Sequence, residues 1–240
     1  MSVTSGPHLP RLYLLDVEGT TSPISLVYEQ LFPYARRHLL DFLREHGEEF
    51  DVQADLALLA EENRADADAP RVSAGDLDGA AAYLLWLMDR DRKSTALKAL
   101  QGRVWKAGFG AGELVGTVFA DVPDALARWR VEAKVAIYSS GSVEAQKLLF
   151  RHSSAGDLTR HISAYFDTRV GAKTSAESYA AIAVAMGVEI GEVLFVSDVV
   201  RELDPARDAG CGTRLSVRDG NAAVPDGHGH AVVRSFAEIA

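Results

Sequence analysis

The chain has 240 residues, 48% hydrophobic and 25% charged, a composition typical of a globular protein with one large domain or two unequal ones. Its net charge of −9 argues against nucleic acid or an anionic membrane surface as the main partner, but an anionic substrate stays possible if a cation reverses the local field. The single cysteine, Cys211, excludes an intrachain disulfide, and neither a signal peptide in Met1–Pro10 nor a membrane-length apolar run is found, so we expect a soluble, cytoplasmic protein.

The first predicted element is a buried strand over Arg11–Val17, which leads into Asp16-Val17-Glu18-Gly19-Thr20. Strand side chains alternate between faces, so we expect Asp16 and Glu18 to point the same way. Two carboxylates this close need a cation between them or a proton on one of them. The pattern is typical of an acidic nucleophile beside an acid/base and a divalent metal, although a strand that ends in a polar turn gives the same short pattern.

The next segment, residues 26–112, breaks the strand pattern and predicts amphipathic helices over 31–44, 52–63, 77–88 and 95–105. This insert begins directly after the Asp16 turn, where the chain leaves the core. We therefore predict that it forms a helical cap over the strand ends, and that residues 1–25 and 113–240 form the core. Helices that only fill out one domain are the alternative. Arg92, Lys93 and Trp105 are candidates for contacting substrate from the cap, and a solvated charge run is the other interpretation.

After the insert, short apolar segments alternate with helical patterns. Strands are predicted over 134–138, 192–196 and, more weakly, 213–217, and helices over 122–132, 143–150, 175–186 and 205–209. Nearly all-apolar strands between helices predict an α/β fold with a parallel sheet covered on both faces. Asp204-Pro205 is a typical helix start, and Asp219–His230 is predicted to be a loop in which His228 and His230 are exposed.

Three further predicted strand or helix ends carry polar groups. Ser139-Ser140-Gly141 precedes a helix and suits an anion, although a serine-rich helix cap explains it as well. Lys173 would neutralise a phosphate if one lies nearby, and is otherwise a surface charge. Asp198 closes a strand, with Glu202 and Asp204 shortly after, and such an acidic strand end suits Mg²⁺.

In this order, the four motifs resemble those of the haloacid dehalogenase superfamily of phosphatases, which lie on a Rossmann-like core. The superfamily usually has Asp-x-Asp in the first motif, and Glu18 replaces the second Asp here. That departure resembles the enolase-phosphatase branch, also called acireductone synthase. Further segments are similar to that family across nearly the whole chain: Leu31–Tyr34, Asp91–Lys98, Phe119–Val122, Tyr138–Phe150 and Phe166–Thr168.

The resemblance implies a monomeric enzyme of methionine salvage with one Mg²⁺ per subunit and no nucleic-acid or membrane partner. It would convert a small phosphate ester, 2,3-diketo-5-methylthiopentyl 1-phosphate, to the acireductone 1,2-dihydroxy-3-keto-5-methylthiopentene and phosphate by enolisation and dephosphorylation. It implies that Asp16 is the nucleophile, Glu18 the acid/base and Lys173 the fixed cation. Phosphate would be bound by Ser139, Ser140 and Gly141, and the metal by Asp16, Glu18 and Asp198.

Several alternatives stay open at this point. A general small-molecule phosphatase of the same superfamily would carry the same motifs without the enolisation step. A signalling receiver domain also uses an aspartate, a hydroxyl and a lysine, but it is about half this length and has no helical insert. The base for enolisation is either Glu18 or a cap residue. Whether Glu202 or Asp204 supports the metal site is also open.

Overall fold

A computed structural model describes residues 9–73 and 75–239. Residues 1–8, which belong to the predicted core range and to the Met1–Pro10 segment, lie outside the described residues, as do Ala74 and Ala240. The described chain divides into two compact units. The first runs up to Val27 and resumes at Val115, and the second is Tyr28–Leu114. That the second unit acts as a cap stays a prediction.

The first unit is built on a parallel sheet, as predicted. Among the described residues it has six strands in the order β3-β2-β1-β4-β5-β6. Their bounds are β1 Leu12–Leu15, β2 Lys134–Tyr138, β3 Ala164–Phe166, β4 Val193–Ser197, β5 Gly212–Ser216 and β6 Ala231–Val233. The first strand in the chain lies at the centre, where Leu12 pairs with Lys134 on one side and Val193 on the other. The α/β fold class is therefore confirmed.

The eight described helices are α1 Phe32–His46, α2 Phe50–Ala65, α3 Leu77–Asp89, α4 Thr95–Gly110, α5 Val122–Trp129, α6 Val143–Arg151, α7 Ala176–Met186 and α8 Val200–Asp208. A π-helical turn, Leu26–Leu31, leads into α1. Short 3-10 turns lie at Thr159–His161, Ile190–Glu192 and Phe236–Glu238. Within the described residues, no helix is both long and apolar enough to cross a bilayer.

Both faces of β1 are buried, which explains its unbroken apolar sequence. Leu12 and Leu14 belong to a buried cluster that includes Tyr179 of α7 and Leu203 of α8. Tyr13 faces the other way and stacks on Trp129 of α5, with 4.3 Å between ring centroids. Because helices cover both faces, polar groups gather where the strands end.

The second unit is a cluster of four helices, in which α4 packs against α1 and α2. Its core consists of fully or nearly fully buried leucines and a valine: Leu39, Leu43, Leu59, Leu84, Leu87, Leu100 and Val104. Gly108 of α4 lies against the Tyr34 ring, and a Cβ at this position would come within 2.6 Å of the ring. The close approach of α4 to α1 therefore requires a residue without a side chain.

The structure differs from the sequence prediction in three respects. Asp204-Pro205 does not start a helix, because α8 begins at Val200 and contains Pro205. The strands β3 and β6 are absent from the prediction, since each has only three residues. His230 is buried rather than exposed, because Nδ1 hydrogen-bonds Thr213 Oγ1 at 2.8 Å and Nε2 lies 3.1 Å from Asp204 Oδ1.

Candidate active site

Asp16 is the centre of the candidate site. It follows the last residue of β1, and only 3% of it is exposed. Its backbone N–H donates to the Val196 carbonyl, so the sheet ladder continues past the strand end. Oδ1 accepts from the Val17 N–H at 2.7 Å, and Oδ2 accepts from the Ser197 hydroxyl at 3.2 Å. The carboxylate is therefore held by the backbone on one side and by the end of β4 on the other.

The turn after Asp16 is fixed by its own sequence. Thr21 Oγ1 lies within donating distance of the carbonyls of both Asp16 (3.0 Å) and Val17 (3.2 Å). Gly19 has φ +68°, a left-handed conformation that favours glycine. A Cβ on Gly19 would lie 2.4 Å from Asp198 Oδ2, so the glycine also lets the turn approach that carboxylate.

Lys173 bridges two carboxylates. Its Nζ lies 2.7 Å from Asp16 Oδ1 and 2.6 Å from Glu202 Oε2, and 8% of its side chain is exposed. Burial alone would lower the pKa of Lys173, but the charges of Asp16 and Glu202 outweigh it and hold the pKa above its ordinary value. The Tyr179 hydroxyl lies 2.7 Å from the Lys173 carbonyl and 2.9 Å from that of Glu202, which fixes both backbones. Lys173 is thus a buried, charged amine rather than a surface lysine.

The remaining carboxylates of the site favour protonation. Burial, and next the charge of Asp16, raise the pKa of Glu18 and of Glu202. The same causes in the same order raise the pKa of Asp198 to about 7. A buried carboxyl that keeps its proton near neutral pH can act as a general acid. Glu18, whose pKa is raised in this direction, lies beside the potential nucleophile and is the candidate for that role.

The serine-rich segment divides into two roles. Ser139, 1% exposed, donates from Oγ to Glu18 Oε2 at 3.3 Å and accepts from the Gly141 N–H at 3.0 Å. Ser142 caps α6, because its hydroxyl accepts from the Ala145 N–H at 3.2 Å. Ser140 is exposed. The helix-cap interpretation therefore applies to Ser142, whereas Ser139 belongs to the Asp16 cluster.

Oxygen atoms dominate the donor set available to a cation. Within residues 9–73 and 75–239, no three His, Cys, Asp or Glu side chains are grouped so that they could hold a metal ion by themselves. A Mg²⁺ ion typically takes one or two protein carboxylates and completes its shell with water and substrate oxygens. Asp16 and Asp198 fit that pattern, since they lie close enough for the charge of Asp16 to add to the effect of burial in raising the pKa of Asp198.

Other candidates from the sequence have partners of their own. Asp204 pairs with Arg207 (Oδ1 to Nη2, 2.6 Å) and with His230, whereas Glu202 contacts Lys173. In the helical unit, Arg92 pairs with Asp66 (Nη2 to Oδ2, 3.2 Å), and Trp105 donates from Nε1 to the Leu31 carbonyl at 2.8 Å.

Tyr179 and Asn221 were missed from the sequence. Tyr179 lies on the buried face of α7, where an apolar pattern predicts only packing. Asn221 Nδ2 donates to the Gly19 carbonyl at 2.9 Å, from a loop 202 residues away in sequence. No local sequence pattern could have linked Asn221 to Gly19.

The chain is similar to a known hydrolase family and to named proteins along nearly its whole length. Residues 10–210 match the haloacid dehalogenase-like hydrolase family. Proteins named enolase-phosphatase E1 from Synechococcus elongatus and Pseudomonas aeruginosa are each 50% identical, over 229 and 228 residues, and each match covers 94% of this chain and 96% of the relative. The crystal structure of the UTR4 protein of Saccharomyces cerevisiae is 37% identical, with a TM-score of 0.79 over 95% of this chain and 99% of its own.

Proposed function

Because this chain belongs to the haloacid dehalogenase-like hydrolases, in their enolase-phosphatase E1 family, we propose that it converts 2,3-diketo-5-methylthiopentyl 1-phosphate to 1,2-dihydroxy-3-keto-5-methylthiopentene and phosphate. This is the methionine-salvage reaction that the resemblance in the sequence implies. The half-identical relatives named enolase-phosphatase E1 support the choice of activity.

The observation that carries the proposal is the pairing of Asp16 with Lys173 next to a partly buried Glu18 whose pKa is raised. Asp16 is held in place by two hydrogen bonds and by an ion pair with the adjacent ammonium. Glu18 is the carboxyl whose environment favours the protonated form. One anionic nucleophile and one acid, in neighbouring positions, are what phosphate-ester cleavage through a covalent intermediate requires.

In the phosphatase half-reaction, a carboxylate oxygen of Asp16 attacks phosphorus, and the bond from phosphorus to the enol oxygen breaks. Glu18 gives its proton to that leaving oxygen and becomes a carboxylate. Glu18 then takes a proton from water as the water oxygen attacks the aspartyl-phosphate. Phosphate leaves, Asp16 is regenerated, and Glu18 is protonated again for the next turnover.

The family implies a divalent metal, and we infer Mg²⁺, one per subunit. When bound, Mg²⁺ supplies positive charge where the Asp16 carboxylate meets the phosphate. Asp16, Asp198 and the main-chain carbonyl of Glu18 would hold it, with water and substrate oxygens as the other ligands. Lys173 pairs with Asp16 as the fixed cation, and Ser139, Ser140 and Gly141 bind phosphate oxygens.

In the enolisation half-reaction, a base removes a proton from the carbon that bears the phosphate oxygen. The electron pair moves towards the neighbouring carbonyl, whose oxygen gains a proton. Glu18 is one candidate base, once it has released its proton to solvent, and a residue of Tyr28–Leu114 is the other. We further infer that this helical segment acts as a cap, and that the protein is cytoplasmic and monomeric.

The decisive experiment follows enol absorbance and phosphate release separately, with the diketone phosphate and Mg²⁺. In Asp16→Asn we expect enol to accumulate without phosphate, because the nucleophile is lost while Glu18 remains. Asp204→Asn is the matched control, since Asp204 pairs with Arg207 and His230, and both steps should proceed at the parent rate. Undiminished phosphate release by Asp16→Asn would refute the nucleophile assignment.

A general phosphatase of the same superfamily is distinguished by its substrates. If the parent protein hydrolyses simple phosphate monoesters as fast as the diketone phosphate, and no enol is detected, the enolase step is refuted. We expect hydrolysis of simple esters to be much slower, because they offer no diketone for the site to recognise.

A further inference from the structure

The loop after β5 holds the turn that follows Asp16. The Gly19 carbonyl accepts from Ser216 Oγ at 3.2 Å and from Asn221 Nδ2 at 2.9 Å. The loop is itself anchored, because Arg218 pairs with Asp121 (Nη1 to Oδ2, 2.9 Å) and the Asn221 N–H donates to the Arg218 carbonyl at 3.1 Å. Asn221 thus presents its amide to Gly19 from a fixed position.

The orientation of that amide follows from its partners. Nδ2 donates to two carbonyl oxygens, those of Gly19 and of Ser216, the latter at 3.3 Å. A flipped amide would put an oxygen against both carbonyls, so the assignment is determined by the hydrogen bonds. Oδ1 must therefore point away from the two carbonyls.

Oδ1 of Asn221 is buried and has no hydrogen-bond partner among the described residues. A Cβ on Gly19 would lie 2.9 Å from this oxygen and 2.4 Å from Asp198 Oδ2. Two acceptor oxygens therefore lie beside the same glycine. A buried acceptor without a donor is destabilising, so we look for a donor that the described residues do not supply.

We propose that Asn221 is an outer-sphere positioning residue of the cation site, and that its Oδ1 accepts a hydrogen bond from a water molecule bound to the cation that Asp198 holds. A cation that keeps several waters offers such O–H donors next to its carboxylate ligands. The amide then links the cation to the turn that carries the nucleophile: Oδ1 holds the water, and Nδ2 holds Gly19. This inference rests on the metal site of the proposed function.

The test is titration of Mg²⁺ into the chelator-treated full-length chain by calorimetry, with melting in EDTA as a separate measure of folding. Loss of an outer-sphere partner weakens metal binding by about ten- to a hundred-fold, so we expect that increase in Kd for Asn221→Ala. Ser216→Ala removes the other donor to the Gly19 carbonyl but leaves Oδ1 in place, so its Kd should stay within about two-fold of the parent. Ala222→Ser, at an exposed position of the same loop, should bind Mg²⁺ as the parent does.

Each contrary result overturns the inference. An unchanged Kd in Asn221→Ala removes the role of Oδ1, and an equal loss in Ser216→Ala attributes the effect to anchoring of the turn. If Asn221→Ala does not fold, Asn221→Ser is the second variant: its hydroxyl is one bond shorter than the amide and does not reach the position of Oδ1, so the same increase in Kd is expected, and an unchanged Kd would overturn the inference. A parent that binds no Mg²⁺ at millimolar concentration refutes the metal part of the proposed function, and this inference with it.

Discussion

Replacing Lys173 by methionine removes the single ammonium that lies between Asp16 and Glu202. With an effective dielectric constant of about 20, unit charges separated by the observed 2.7 Å attract each other by about 6 kcal/mol. Dehydration of the ammonium offsets much of this energy, so we expect Lys173→Met to lower the free energy of unfolding by about 3–5 kcal/mol, as in other broken buried ion pairs. Activity should also fall, by about 10²–10³ in kcat, because Asp16 loses its fixed counter-charge.

The assay is urea unfolding in EDTA, followed by phosphate release with Mg²⁺ under native conditions. Lys147→Met is the matched control, because Lys147 is exposed and its Nζ lies 5.8 Å from the centre of the Tyr165 ring. Its free energy of unfolding should change by no more than about 0.5 kcal/mol.

A double variant separates the charge effect from packing. Lys173→Met combined with Glu202→Gln removes one carboxylate together with the amine, so it should unfold at a higher urea concentration than Lys173→Met alone. If the double variant loses at least as much stability as the two single variants added together, the ion-pair reasoning is refuted. A Lys173→Met protein with parental stability and kcat would refute it as well.

Two further predictions concern the turn and the metal carboxylate. Gly19→Ala should destabilise the protein by about 1–3 kcal/mol and lower kcat about a hundred-fold, because Gly19 has a φ of +68° and an added Cβ would clash with Asp198. The control is Gly102→Ala at an open helical position, which should stabilise the protein by up to about 1 kcal/mol. Equal unfolding midpoints for the two variants would contradict this prediction. For Asp198, the pKa raised to about 7 means that the folded protein keeps a proton that the unfolded chain loses near pH 4, so stability falls as the pH rises between these values. In EDTA, Asp198→Asn should therefore melt above the parent at pH 8 but close to it at pH 4, and a difference in Tm independent of pH would contradict the assignment.

The sequence predicted the elements whose burial is complete. β1, β2 after Lys134 and β4 before Ser197 are apolar because helices cover both faces, and such runs are visible in sequence. β3 and β6 lie at the edges of the sheet with three residues each, and they carry no comparable pattern. Asp204-Pro205 has the composition of a helix start, yet the helix had already begun at Val200.

Some residues of the candidate site could likewise be predicted from the sequence, and others could not. Asp16, Lys173 and Asp198 could be predicted because each lies at a strand or helix end, where parallel sheets bind ligands. The pairing of Lys173 with Glu202 could not, because it depends on how the start of α8 lies against the loop before α7. Asn221 depends on an even longer connection, from the end of β5 back to Gly19.

The central position of β1 also has a consequence for synthesis. This strand is translated first, but its neighbours β2 and β4 end at Tyr138 and Ser197. At about 5–20 residues per second, a ribosome needs about 10–40 s after β1 before β4 is complete. The helices of Tyr28–Leu114 belong to a separate compact unit and can form during that interval, whereas the strand that precedes the nucleophile keeps one edge unpaired until β4 is made. During synthesis, the segment that leads to Asp16 therefore presents an unpaired strand edge, the kind of surface that favours aggregation.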